Sequence, residues 1–138
     1  MNEFKHRMVS VINKNIDMGQ AMNALGHISL ALGATVGTEA IQLIDYQDAD
    51  GNIYPTISRM PFIVLQANSN KIKELRQRAI DNHIQYITFT NAMTVGTWQE
   101  QIERSLQARA DDLIFYAIVL LGDAAIITEL TRKFSLWK

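Results

Sequence analysis

The stretch that decides the fold is IDMGQAMNALGHISLALGA, residues 16–34. Apolar residues recur in it at steps of three and four, which is the periodicity of an amphipathic helix. They are Met18, Met22, Leu25, Ile28 and Leu32. Asp17 predicts the N-cap of this helix, and Gly33 predicts the glycine that ends it. Residues 8–12 precede the helix as a compact apolar segment and predict a buried strand.

Strands and helices alternate along the rest of the chain. Strands are predicted over residues 40–46, 53–57, 62–66, 84–90, 115–121 and 134–136. Three more helices are predicted, with caps at Ser69, Thr97 and Asp123. Thr97 begins the pattern T-x-x-E, which is a capping box. Asp50-Gly51 separates two strand-like segments and predicts a hairpin. This alternation predicts an α/β sandwich, with helices packed on a mainly central sheet.

Composition is that of one globular domain over residues 1–138. Hydrophobic residues make up 48% and charged residues 20% of the chain, and no repeat or linker interrupts it. The absence of cysteine excludes a disulfide framework, a thiolate zinc site and a cysteine nucleophile. The formal net charge of −1 gives no indication of a nucleic-acid partner.

No segment is predicted to enter a membrane. The N-terminus, MNEFKHRM, is charged and lacks the apolar centre of a signal peptide. The most apolar segment, residues 113–121, is shorter than the roughly 20 residues that a spanning helix needs. The uncharged residues 19–37 include Asn23, His27 and Ser29, and are interpreted as buried protein. We therefore expect a cytoplasmic protein without a membrane partner.

The first turn of the predicted first helix is the best candidate site. Its free backbone N–H groups and the positive end of the helix dipole favour an anion or a carbonyl oxygen. Gly19 would let a ligand approach the backbone, and Gln20, Asn23 and His27 follow as a polar stripe at i, i+3 and i+7. We predict that Gly19, Gln20, Asn23 and His27 bind a ligand. A solvent-facing stripe, with His27 making a single hydrogen bond, is the alternative.

Common catalytic and metal-binding patterns are missing from the sequence. The three histidines lack metal-ligand spacing, and no Walker, dinucleotide or nucleophile-elbow motif occurs. A calcium loop centred on Gly51 fails at its first and last ligands, which are Tyr46 and Ile57. No catalytic residue, metal or cofactor is therefore assigned. Four basic residues between 71 and 78 fan around their helix and are interpreted as a solvated surface.

Several segments together carry a family resemblance. Residues 16–34 resemble the M-G-K-G-K-x-A-A-Q-x-A-H opening of the peptidyl-tRNA hydrolase II fold, and residues 118–138 resemble its last strand, glycine, helix and terminal strand. With N-A-x-x-H at 23–27, D-A-D-G at 48–51 and P-x-I-V-L at 61–65, the chain more closely resembles the bacterial family called domain of unknown function 2000.

The resemblance implies a three-layer sandwich with a mixed four-stranded core sheet. It also implies two additions to that core, a hairpin at about 40–58 and a helix at about 97–110, and commonly a homodimer. The activity it implies is hydrolysis of the ester between a peptide and tRNA. The lysine of that hydrolase family corresponds to Gln20, its acidic residue falls near Thr90 or Asn91, and its threonine falls at Ala117. Because Gln20 carries no charge to stabilise a developing anion, tRNA ester hydrolysis is disfavoured.

Three functions remain open on these grounds. The first is a homodimeric domain that binds a small molecule or a peptide end at the start of the first helix. The second is a hydrolytic or other enzyme, with His27 as general acid or base and Asn23 orienting a carbonyl. The third is a homo-oligomeric interaction protein without a ligand, which would use the hairpin and the helix of Trp98 because exposed aromatic residues favour interfaces.

Overall fold

A computed structural model describes residues 4–138; residues 1–3 of the charged N-terminal segment lie outside the described part. The described strands are β1 His6–Asn13, β2 Leu43–Gln47, β3 Ile53–Ser58, β4 Phe62–Ala67, β5 Gln85–Thr90, β6 Phe115–Asp123 and β7 Ser135–Leu136. The described helices are α1 Met18–Ile41, α2 Ser69–Asp81, α3 Trp98–Gln107 and α4 Ala124–Thr131. Short 3₁₀ turns occur at Asn91–Met93 and Ala110–Asp112.

The main sheet is mixed, in the order β5-β6-β1-β4-β7. β1 and β4 run parallel, while every other neighbouring pair is antiparallel. The predicted α/β class with a mixed sheet is confirmed. The sheet has five strands instead of the expected four, because Ser135 and Leu136 pair with Gln66 and Leu65 on the outer edge of β4.

Helices cover both faces of the sheet, which gives three layers. Strand side chains alternate between the faces, so that Val9 and Val11 point to one and Met8 and Ile12 to the other. α1 packs on the Met8 face through its four buried residues Ala21, Ala24, Ile28 and Leu32. α2 and α4 pack on the opposite face, through residues that include Ile72, Leu75, Ile127 and Leu130.

The end of α1 differs from its prediction. The helix continues through Gly33 and breaks at Gly37, where φ is 85° and ψ is 168°. These angles are open essentially only to glycine, because a Cβ would collide with the backbone. A short last turn then ends at Gln42, whose φ of 60° is left-handed. The strand expected from residue 40 therefore begins only at Leu43.

The uncharged segment of α1 is less buried than predicted. An 18-residue window of α1 has a mean hydropathy of 1.2, and 17% of that window is buried. By length and composition alone α1 is therefore a helix that could cross a membrane. Its inner face packs on the sheet, while Met18, Met22 and Leu30 on its outer side are 56%, 66% and 75% exposed. The expectation of a buried segment was wrong for that outer side.

The helices begin with the predicted capping interactions, except that the cap of α2 lies one residue earlier than predicted. Thr97 accepts from the backbone N–H of Glu100, and Asp123 accepts from that of Ile126, so both predicted caps are confirmed. The cap of α2 is Asn68 instead of Ser69, because the Asn68 carboxamide oxygen accepts from Lys71 N at 2.9 Å. The Ser69 hydroxyl instead accepts from Phe115 N at 2.8 Å and joins the start of α2 to β6.

β2 and β3 form a separate antiparallel hairpin. Its turn contains Gly51 at a φ of 89°, as the Asp-Gly pair predicts. The Asp48 carboxylate accepts from the Tyr54 hydroxyl at 2.6 Å and from both nitrogens of Asn52 at 2.9 Å. Neither strand contains a buried residue. That the hairpin and α3 are additions to a shared family core stays a prediction.

Candidate functional site

A crevice forms where the chain leaves the two parallel central strands. β1 leads into α1 on one face of the sheet, and β4 leads into α2 on the other face. The connections after these neighbouring strands therefore separate, and such a divergence leaves a crevice beyond the carboxyl ends of the strands. The start of both helices, where N–H groups have no partner within the helix, lies at this crevice, and the Asn68 side chain caps one of these groups, that of Lys71.

The crevice, called the amide cleft below, has a volume of about 540 Å³. Its lining is mainly side-chain carboxamides, with one carboxylate, two hydroxyls and two isoleucines. The residues are Asn13, Asn15, Ile16, Asp17, Gln20, Asn68, Ser69, Asn70, Ile114 and Tyr116. Carboxamides both donate and accept hydrogen bonds without carrying charge, so this lining suits a polar ligand more than a strongly charged one.

Asn13 fixes the base of the amide cleft. It is 2% exposed, and its Nδ2 donates to the carbonyl oxygen of Phe115 at 2.9 Å. Its Oδ1 accepts from the backbone N–H of Asn15 at 2.8 Å. The next residue, Lys14, donates its backbone N–H to the carbonyl oxygen of Ala67 at 3.0 Å. These bonds hold the ends of β1, β4 and β6 together.

The structure divides the four predicted site residues between two places. Gln20 lines the amide cleft, and its Oε1 accepts from the backbone N–H of Asp17 at 3.3 Å. Gly19 is exposed in the same first turn, with open space where a Cβ would stand. Asn23 and His27 instead line a shallow outer depression with Met22, Gly26 and Leu30. Gln20 and His27 are seven residues apart, which is about 10 Å along the helix axis. The two residues therefore share a stripe of the helix but not a single site.

His27 has an aromatic environment outside the cleft. Its ring stacks on Phe89 with centroids 5.4 Å apart, and Phe89 lies 6.2 Å from the ring of Tyr116. His27 is exposed, whereas Phe89 is 5% exposed. The imidazole thus covers the edge of the core, and Tyr116 beyond Phe89 lines the amide cleft.

The positions that the resemblance implies for the hydrolase family's other functional residues supply no acid to the cleft. Thr90 is 4% exposed and Ala117 is 0% exposed, so both belong to the interior of the sheet. The carboxamide oxygen of Asn91 accepts from Ile114 N at 3.0 Å. Asp17 is the one carboxylate among the described residues that line the cleft. Residues 4–138 contain no group of three His, Asp or Glu side chains placed to hold a metal.

Sequence reasoning missed the half of the cleft that comes from β4 and α2. Asn68, Ser69 and Asn70 reach the cleft because β4 lies beside β1, a pairing that periodicity does not reveal. The available signal was the polar run N-S-N directly after a buried strand. When two parallel strands are neighbours and each is followed by a polar turn, the two turns lie at the same edge of the sheet.

Comparisons with known proteins concern the family and the fold. The family model described as "Protein of unknown function (DUF2000)" matches residues 6–138. A solved structure of a protein of unknown function from Agrobacterium tumefaciens strain C58 has a TM-score of 0.83 and 18% sequence identity, and the match covers 98% of this chain and 99% of that chain. At this identity the likeness concerns the fold alone. No curated protein matches the chain.

Proposed function

The chain belongs to the DUF2000 family of proteins of unknown function, and for it we propose binding of a small molecule or a peptide end in the amide cleft. The observation that carries this proposal is the meeting of two helix starts and five carboxamides at one crevice. We also propose that the fold is like that of peptidyl-tRNA hydrolase II, and that this protein does not carry out that family's reaction.

The cleft favours a ligand with a carbonyl or a single carboxylate. Helix starts offer N–H donors and a positive dipole end, which together attract such an oxygen. Asn15, before α1, and Asn70, in the first turn of α2, add side-chain donors. Ile16 and Ile114 supply apolar contact for the rest of the ligand. The carboxyl end of a peptide, or a small amino acid derivative, has this combination.

Peptidyl-tRNA hydrolysis is the alternative that the cleft supports least. Gln20 lies where the hydrolase family has lysine, and its Oε1 is engaged by the N–H of Asp17. No lysine or arginine is among the described residues that line the cleft. Without a cation, the negative charge that develops on the ester is stabilised less, which typically lowers a rate by about 10²- to 10³-fold. We expect purified protein to leave N-acetyl-aminoacyl-tRNA intact beside an authentic hydrolase, and clear turnover would overturn this part.

Ligand binding is tested by thermal denaturation with alanylalanine and with its C-terminal amide. A ligand at about 100 times its Kd adds about 2.7 kcal/mol to the free energy of unfolding, which raises Tm measurably. We expect alanylalanine to raise Tm more than the amide does. The variant Asn15→Ala/Asn70→Ala should lose that rise, since both side chains face the cleft.

The matched control is Asn23→Ala/His27→Ala, on the outer depression of the same helix. This variant should keep the rise in Tm. A rise that survives in the cleft variant and disappears in the control would place the ligand on the outer side of α1, against the proposal. Mass spectrometry of small molecules released from the purified protein identifies the natural ligand.

We also propose that the protein acts as a homodimer, with a second copy covering the hairpin and the outer side of α1. The hairpin exposes six large apolar side chains, each between 43% and 61% exposed. They are Leu43, Ile44, Tyr46, Ile53, Tyr54 and Ile57. A two-stranded hairpin is at best marginally stable alone in water, so it gains from a partner. Met18, Met22 and Leu30 on α1 provide a second apolar surface for a reciprocal contact.

The exposed area supports a face that a partner covers. A compact monomer of 15.6 kDa exposes about 7,200 Å², whereas this chain exposes 8967 Å². The larger surface fits a protein with an uncovered apolar face, and a standard interface would cover ~800 Å² of it per partner.

Sedimentation velocity tests the dimer. The unmodified protein should sediment as a dimer at micromolar concentration, and Ile57→Lys or Met22→Lys should shift it toward monomer. Ile80→Lys, on α2 and also partly exposed, is the control that should stay dimeric. A monomeric unmodified protein would overturn the proposal, and cosedimentation with lipid vesicles would assign the apolar side of α1 to a membrane.

A further inference from the structure

A second cavity, on the α2 and α4 side of the sheet, collects positive charge. This basic groove has a volume of about 530 Å³, and five cationic residues line it: Lys14, Lys71, Arg78, Arg132 and Lys133. Two carboxylates, Glu74 and Glu129, lie in the same lining. The groove therefore holds an excess of three positive charges in a chain whose formal net charge is −1.

The two carboxylates neutralise only part of this charge. Glu74 pairs with Lys71 at 3.4 Å, and Glu129 pairs with Arg132 at 3.1 Å. Arg78 donates to the carbonyl oxygen of Leu130 at 3.4 Å. Within residues 4–138, neither Lys14 nor Lys133 has a carboxylate partner. Clustered like charges repel unless an anion lies between them.

Lys71 lies where a helix dipole disfavours a positive charge. It lies in the first turn of α2, where the helix dipole is positive and disfavours a cation, and that turn contains no acidic residue. At the end of α4 the helix dipole is negative, so it favours cations. The dipole therefore favours Arg132, whereas Lys71 lies against the dipole and has Glu74 as its ion-pair partner.

Only some of the basic residues of α2 line the groove. Lys73 forms an ion pair with Asp111, and the Arg76 guanidinium lies 5.6 Å from the ring centre of Tyr86. Lys71 and Arg78 instead face α4 and the β1 turn across the groove. Lys71 and Arg78 are both exposed, so they agree with the interpretation of residues 71–78 as a solvated surface, and both also line the groove.

We propose that the basic groove binds a small molecule with a multiply charged phosphate group. Two guanidinium groups and three ammonium groups match the several oxygens and charges of a diphosphate better than the two oxygens of one carboxylate. Asn68 lines both the groove and the amide cleft, so the two sites share one boundary. The phosphate site stands independently of the cleft's ligand.

Isothermal titration with inorganic pyrophosphate tests the proposal. Saturable binding at low salt, weakening as salt rises, is expected for the unmodified protein. Lys14→Gln and Lys133→Gln should each weaken binding by about tenfold, the usual effect of losing a hydrogen bond to a charged group. Lys5→Gln makes the same charge change before the other end of β1 and should bind as the unmodified protein does.

Three outcomes would overturn the proposal. One is the absence of saturable pyrophosphate binding. Another is equal weakening by Lys5→Gln, which would indicate a general charge effect. The third is affinity that rises with the length of single-stranded RNA and exceeds that for pyrophosphate, which would assign the groove to nucleic acid. Thermal denaturation without added anion verifies that each variant is folded.

Discussion

The side-chain carboxamide of Asn13 donates a 2.9 Å hydrogen bond to the carbonyl oxygen of Phe115, so the last residue of β1 is joined to the first residue of β6. The same carboxamide accepts from the backbone N–H of Asn15 at 2.8 Å and shapes the turn that enters α1. A side chain that is 2% exposed thus satisfies two backbone groups and sets one wall of the amide cleft. Asn13 is therefore structural, whereas Asn15 remains available to a ligand.

Replacing Asn13 by alanine should destabilise the protein. The change leaves a carbonyl and an N–H without their partner, at a cost of about 1–3 kcal/mol per buried group. Urea denaturation should show the loss in the free energy of unfolding. Asn15→Ala keeps the backbone N–H that bonds to Asn13 and should change stability by less than about 0.5 kcal/mol. Equal losses in the two variants would contradict this account.

Two glycines of α1 should respond to alanine in opposite directions. Gly37 has a φ of 85° and a ψ of 168°, so Gly37→Ala should cost about 1–3 kcal/mol. Gly33 is helical, with open space around the position of a Cβ, so Gly33→Ala should stabilise by about 0.5–1 kcal/mol. Thermal or urea denaturation measures both. Destabilisation by Gly33→Ala would mean that the helix breaks there after all.

Much of the fold was predictable because its signals are local. Apolar periodicity located α1, and the pairs Thr97–Glu100 and Asp50–Gly51 located a cap and a turn. The end of α1 was misplaced because Gly33 and Gly37 look alike in sequence, and only the backbone angles distinguish them. The fifth strand pairs across 70 residues of chain with β4, and no local pattern indicates such a partner.

The candidate site was predictable only for the part on α1. Gln20 lies in the amide cleft as the first-turn argument expects, but Asn68 and Asn70 come from an element that follows a different strand. The basic groove joins residues from the turn after β1, from α2 and from the end of α4, and it remains hidden until the strand order is known. Sites made by tertiary neighbours lack the spacing that reveals a motif within one helix.

The hairpin turn should respond to acid. The hydrogen bond from Tyr54, followed by those from Asn52, lowers the pKa of Asp48 from 3.8 to about 2. Because the folded pKa lies below the unfolded one, the turn is fully stabilised above pH 3.8 and loses that support as pH falls through about 2. The amide resonances of Asp50 and Asn52 should follow this titration by NMR. Asp48→Asn should abolish it, and Asp45→Asn should not; a midpoint at 3.8 would contradict the hydrogen bonds.

Arg104 should hold α3 against the rest of the protein. α3 buries no residue, yet Arg104 donates to the carbonyl oxygens of Ala92 at 2.9 Å and Val95 at 3.0 Å. Arg104→Ala should therefore release the helix, and its amides should exchange with deuterium at least about tenfold faster, while amides of the central sheet keep their protection.

Glu103→Ala is the matched control, because that carboxylate accepts from Gln107 within the same helix at 2.8 Å. Its amide exchange should stay near that of the unmodified protein. If Arg104→Ala left the exchange of α3 unchanged, the exposed stripe of Trp98, Ile102 and Leu106 would have to be held by something other than these two bonds, and a partner copy would be the first candidate. Repeating the exchange below the concentration of dimer formation distinguishes the two, since protection that depends on concentration belongs to the dimer.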